Sequence, residues 1–147
     1  MEGRHQAREA ALQMLYQWEL GGASVQDVLS AYRAEPPGPR LTPEYESFAC
    51  ALVEGTIGDL ERIDPLISAS AEHWRLQRMA IVDRMIIRLA VHEFLRPAMP
   101  KAVVINEAVE LARTFGSDES VKFVNGLLDA IARRIEETEG KKAESEQ

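Results

Sequence analysis

Apolar residues along this chain recur at three- and four-residue intervals, the spacing of one face of an α-helix. No stretch alternates apolar and polar residues long enough to line a strand, and no Asn-Gly or Asp-Gly turn joins two such runs. A first helix is predicted from about Arg4 to Leu20, stopped by Gly21-Gly22. Ser24 can cap a second, from Val25 to about Ala34, and Pro36-Pro37-Gly38-Pro39 then forces a loop. Thr42-Pro43 reads as a cap and a first-turn proline opening a third helix through Tyr45, Phe48, Leu52 and Ile57. Gly55 and Gly58 bend that helix before Leu60, Ile63, Leu66 and Ile67 continue its apolar face.

A short helical segment around Trp74–Met79 leads into a helix from about Ala80 to Leu95, ended by Pro97 and Pro100. It is apolar over most of its circumference (Ile81, Val82, Met85, Ile86, Ile87), which places it at the centre of the core. The next helix spans about Lys101 to Phe115, closed by Gly116. Ser117 or Asp118 caps the last, whose buried stripe is Val121, Val124, Leu128, Ile131 and Ile135. The polar end, Glu136–Gln147, is predicted to fray. The reading is all-α, a compact bundle of about seven helices.

Composition narrows the function classes. The 147 residues are 46% hydrophobic and 28% charged, the balance of a soluble globular protein. No apolar run reaches the roughly 20 residues of a membrane helix, and Met1–Gln6 has no hydrophobic signal core, so a cytoplasmic protein is expected. The single cysteine, Cys50, excludes an internal disulfide and a thiolate metal site. A net charge of −7 argues against a generic nucleic-acid binder. The charge is uneven, however: residues 62–134 carry 11 basic and 9 acidic groups, leaving room for a local basic surface.

Catalytic constellations are missing. His5, His73 and His92 are dispersed, with no metal-ligand spacing, and His73 and His92 read as surface or edge residues. No glycine-rich phosphate loop follows a strand, and Cys50 sits among apolar neighbours as an inert thiol. No enzyme, cofactor or metal site is expected.

Two helices instead carry an aromatic away from the core direction. In the last helix Phe123 points about 110° from the buried stripe, with Lys122 nearby and Gly126 and Ala130 leaving flat surface beside it. Such a ring suits base stacking, or packing on a neighbouring element. In the first helix Ala7, Ala11, Met14 and Trp18 share one face, while Tyr16 points nearly the opposite way with Leu12 and Leu20. That second stripe is either sandwiched in the fold or docks a partner. Arg4 and Arg8, one turn apart, suit phosphate contacts or a solvated helix end. Arg84, Arg88 and His92 form a polar strip on the central helix that suits either ion pairs or phosphates.

Four ordered segments carry more specific information: residues 7–18 (AREAALQMLYQW), 82–90 (VDRMIIRLA), 104–112 (VINEAVELA) and 122–129 (KFVNGLLD). Together they resemble the NusB family of bacterial transcription antitermination proteins, across about residues 4–134. The resemblance implies an all-helical fold of two packed subdomains, about 1–70 and 71–135. It also implies a non-catalytic role. Such a protein binds the boxA element of nascent RNA together with ribosomal protein NusE, helping RNA polymerase read through terminators, chiefly in ribosomal RNA operons. Residue by residue, it assigns Arg4, Arg8, Lys122 and Phe123 to the RNA, and Tyr16 and Asp83 to the NusE-facing surface. Glu119 falls at an acidic position whose carboxylate favours the helix dipole while repelling phosphate. His5 and Gln6 stand where basic residues are common, so weak RNA affinity without the partner is expected. A helical protein adapter without RNA contact is the alternative, and a homodimer through the second stripe of the first helix stays open. An accessory domain of an RNA methyltransferase fits poorly, since the chain leaves no room for an α/β cofactor domain.

Overall fold

The computed structural model describes residues 2–71, 76–96 and 98–145; His73, Trp74 and Pro97 lie outside them. Among the described residues there are seven α-helices and no strand. They are α1 (Glu2–Gly21), α2 (Val25–Ala34), α3 (Pro43–Gly58), α4 (Leu60–Ser70), α5 (Ile81–Leu95), α6 (Lys101–Phe115) and α7 (Asp118–Ser145), with a 3-10 turn at Leu76–Arg78. The boundaries follow local chemistry. Gly22, at φ 67°, takes the left-handed conformation that ends α1 without the penalty a side chain would incur. The Ser24 hydroxyl accepts the Asp27 amide at 3.1 Å, and the Ser117 hydroxyl accepts the Ser120 amide at 3.1 Å, capping α2 and α7.

Helix α5 is the axle of the bundle, packed against α1, α3, α4, α6 and α7. Met85, Ile86, Ile87 and Val91 are fully enclosed, as the nearly all-round apolar pattern requires. Every side of α5 meets another helix, so its polar strip is buried as well. Arg84 donates to Glu19 (2.8 Å) on α1, and Arg88 makes a paired contact with Asp64 on α4 (both 2.9 Å). Of the two roles left open for these arginines, the structure shows ion pairing. His92 is 4% exposed rather than a surface or edge residue, with Nδ1 lying 3.0 Å from Asp59 Oδ2. The imidazole reaches this depth because Gly55 faces it: a Cβ there would stand 2.4 Å from two ring atoms.

Three other expectations change. The third helix is not one bent rod. Asp59 leaves the α-helical path, its amide reaching Gly55 O (3.0 Å) and Thr56 O (3.3 Å), and α4 starts afresh behind it. Thr42 precedes α3 in extended conformation but caps it only through its carbonyl, which accepts the Glu46 amide at 2.9 Å. The polar end is drawn into helix as well, α7 continuing to Ser145. Glu, Lys and Ala are strong helix formers and no proline interrupts them, while Lys101 reaches Glu139 at 3.9 Å. No helix among the described residues is long and apolar enough to cross a membrane.

Candidate nucleic-acid interface

The first group of expected RNA-contacting residues lies at the start of α1. Arg4 is exposed and forms no ion pair among the described residues; its guanidinium carbon sits 5.8 Å above the Phe48 ring. Arg8, one turn on, is 3% exposed. Its Nη2 and Nε donate to the Glu93 carboxylate at 2.7 and 3.1 Å, and its guanidinium carbon lies 5.4 Å from the same Phe48 ring. A cation sealed against a carboxylate and a ring is already neutralised. Arg8 therefore fixes the end of α1 to α5 rather than offering a free charge, which corrects its expected place among the phosphate contacts. His5 is likewise engaged, 2.9 Å from Glu9 and 3.0 Å from Glu107.

The second group lies at the start of α7. Val124, Leu128 and Ile131 turn inward and are fully buried, which leaves Lys122 exposed and Phe123 half-buried against the rim of the core. Gly126 faces open space, so a flat shelf adjoins the ring. Beside Phe123 is a cavity of about 320 Å³. Its walls include Phe123 and Glu119 of α7, the capping Ser117 before it, Arg78 from the 3-10 turn, and Asp83 of α5. Asp83 is 9% exposed, and its buried Oδ1 has no hydrogen-bond partner among the described residues. An unmet buried acceptor costs about 1–3 kcal/mol, more when charged. The turn is held in place by Arg84, whose Nη1 donates to Leu76 O at 3.1 Å.

Tyr16 lies on a different surface. It is 37% exposed and lines a groove of about 400 Å³ with Leu12, Gln13, Pro37, Val82 and Phe115. The second α1 stripe is divided: Leu12 is buried inside the fold, while Tyr16 and Leu20, the latter 56% exposed, remain outside.

The site residues thus divide differently from their expected grouping. Asp83 lies with Phe123 and Glu119 in one cavity, and its neighbour Val82 reaches the Tyr16 groove. Arg4 and Arg8 lie at the far end of α5, near Glu93. Asp83 and Glu93 are ten residues apart on one helix, about 15 Å along its axis. Sequence reasoning missed Phe48, the platform under both arginines, and Arg78, a cation lining the same cavity as Phe123. Neither carries a signal of its own: Phe48 looks like any core position on α3, and Arg78 lies in a segment without periodicity.

No group of acidic, histidine or cysteine side chains among the described residues could hold a metal ion. Cys50 is buried, and that desolvation pushes its thiol pKa up despite the nearby Arg33 charge. What the surface offers is a ring, cations at both ends of α5, and an apolar groove.

The NusB family profile matches residues 5–133. The transcription antitermination protein NusB of Solibacter usitatus is 45% identical over 137 residues, covering 93% of each chain. Among solved structures, a T. maritima NusB superposes with a TM-score of 0.79 at 35% identity, over 88% of this chain and 90% of that one. A chain from a complex of the antitermination factors NusB and NusE with dsRNA superposes with a TM-score of 0.76 at 28% identity, over 91% of this chain and 98% of that one. The all-helical architecture, the profile match and the identity along nearly the whole length agree, and the chain belongs to the NusB family of transcription antitermination proteins.

Proposed function

We propose that this chain binds the boxA element of nascent transcripts, chiefly from ribosomal RNA operons, as a complex with ribosomal protein NusE. It works as a scaffold in the cytoplasm beside RNA polymerase and performs no chemistry of its own. The observation that carries this reading is the exposed Lys122 beside the half-buried Phe123 ring at the head of α7, with a cavity next to them. Aromatic faces stack on unpaired bases of any sequence, and a neighbouring ammonium neutralises the backbone. Arg4, exposed at the other end of α5, supplies a second phosphate contact. Arg8 acts indirectly, by fixing the helix that carries Arg4. Glu119, exposed in the first turn of α7, repels phosphate and restrains affinity.

NusE docks along the Tyr16 groove, where a tyrosine presents an apolar face and a hydroxyl that stays wet. The solved complex that pairs a similar chain with NusE and dsRNA supports this assignment of partners. A protein of net charge −7 binds RNA weakly alone and gains affinity from a partner's charge.

An electrophoretic shift assay with boxA and scrambled RNA, with and without NusE, tests the reading. The expected result is a faint boxA shift alone and a strong, salt-sensitive one with NusE. Absence of any RNA shift alongside intact NusE binding leaves a protein adapter. Light scattering with and without RNA shows whether copies of the chain pair through the Tyr16 groove instead.

A further inference from the structure

We propose that Phe48 is a positioning residue for RNA binding: its ring orders the Arg4 guanidinium before a phosphate arrives. The proposal deepens the RNA-binding reading and rests on it. Helix starts fray unless they are tied down, since their first amides lack partners within the helix. Here α3 supplies the tie. Tyr45 and Phe48 lie three residues apart on α3, which puts them side by side on one face. Gly3 packs so closely on Tyr45 that a Cβ would stand 2.2 Å from that ring. The Phe48 centroid lies 5.8 Å from the Arg4 guanidinium carbon and 5.4 Å from that of Arg8. His5 adds a tie to α6, 3.0 Å from Glu107.

The two arginines on this ring are held differently. Arg8 has the Glu93 carboxylate as well, and that contact neutralises it. Arg4 forms no ion pair among the described residues, so the restraint on its guanidinium comes from the ring. A π face attracts a cation electrostatically but takes up none of its N–H donors. A carboxylate in the same place would cancel the charge. Phe48 instead steadies Arg4 and leaves its charge and its five donors for a phosphate. An arginine loses rotamer freedom when it binds, and ordering it in advance lowers that cost at the moment of contact. Exposed contacts between a cation and a ring correspond to about two- to fivefold in an equilibrium constant.

NMR spectra of the full chain, together with titration of boxA RNA into its complex with NusE, test this role. Ring current is expected to place the Arg4 side-chain protons of the wild type upfield of their random-coil positions, with Arg4→Ala identifying the signals. Phe48→Leu, which keeps an apolar side chain on α3, is expected to return them. The same variant is expected to weaken boxA binding about two- to fivefold, and Phe48→Tyr to restore it. In an Arg4→Ala background Phe48→Leu is expected to cost nothing further, the mark of an effect transmitted through Arg4. Arg4 protons at random-coil positions in the wild type overturn the proposal, a result that needs no variant to fold. Losses that add in the double variant overturn it as well. Wild-type affinity in Phe48→Leu beside a clear loss in Arg4→Ala also overturns it and leaves the Arg4 contact with RNA standing. Wild-type affinity in Arg4→Ala removes both that contact and the role of Phe48. If boxA RNA fails to bind even with NusE present, the RNA-binding reading falls and takes the proposal with it.

Discussion

Arg8 of α1 grips Glu93 of α5 with two nitrogens of its guanidinium, and hardly any of that arginine remains open to solvent. The contact joins residues 85 positions apart and lies under the exposed Arg4, which shares the Phe48 ring with it. Removing one partner of such a pair strands the other charge. Arg8→Ala is therefore expected to lower folding stability by about 3–5 kcal/mol, read by urea denaturation. Arg4→Ala is expected to leave stability within about 0.5 kcal/mol of wild type while reducing the salt dependence of RNA binding. Equal stability of the two variants would show that the buried pair contributes nothing.

Phe123→Ala is expected to weaken boxA binding by about 1–3 kcal/mol in the NusE complex, with little change in helicity. The inward residues Val124, Leu128 and Ile131 hold α7 in place without the ring. Titration against labelled RNA measures the loss, and unchanged affinity would remove the ring from the RNA surface.

Gly55→Ala is expected to destabilise the protein by about 1–3 kcal/mol, because the added methyl would overlap the His92 imidazole. Combining it with His92→Ala should recover part of that loss in a double-mutant cycle. Additive losses would mean that the two residues do not press on each other.

The buried Cys50 thiol has its pKa raised, so less thiolate is present at any given pH. Iodoacetamide at mildly alkaline pH is expected to leave the folded protein unmodified and to alkylate it fully in urea. Mass spectrometry distinguishes the two, and rapid native labelling would contradict the enclosure of this side chain.

Local patterns were enough for most of the helices, though not for the break between α3 and α4, and for the central place of α5, because its apolar residues cover most of its circumference. They were not enough for the polar strip on the same helix. Arg84, Arg88 and His92 have the spacing of a solvated stripe, and only their partners Glu19, Asp64 and Asp59, brought in by α1, α4 and the α3–α4 junction, make burial tolerable. Those partners are distant in the chain, and periodicity within one helix carries no trace of them. The same blindness misplaced Arg8, whose carboxylate lies on another helix. At Phe123 the angular argument held, since the ring does stand at the edge of the core. The companions Arg78 and Asp83 come from segments that only folding brings alongside it.

The length of α5 between Asp83 and Glu93 acts as a ruler. On the RNA path proposed above, a mononucleotide or a very short transcript is expected to engage Phe123 or Arg4 but not both. A strand long enough to bridge them makes its second attachment at the high effective concentration of a tethered end. Affinity should then climb abruptly at a threshold of transcript length, so the protein would ignore the small debris of RNA turnover while holding a growing chain.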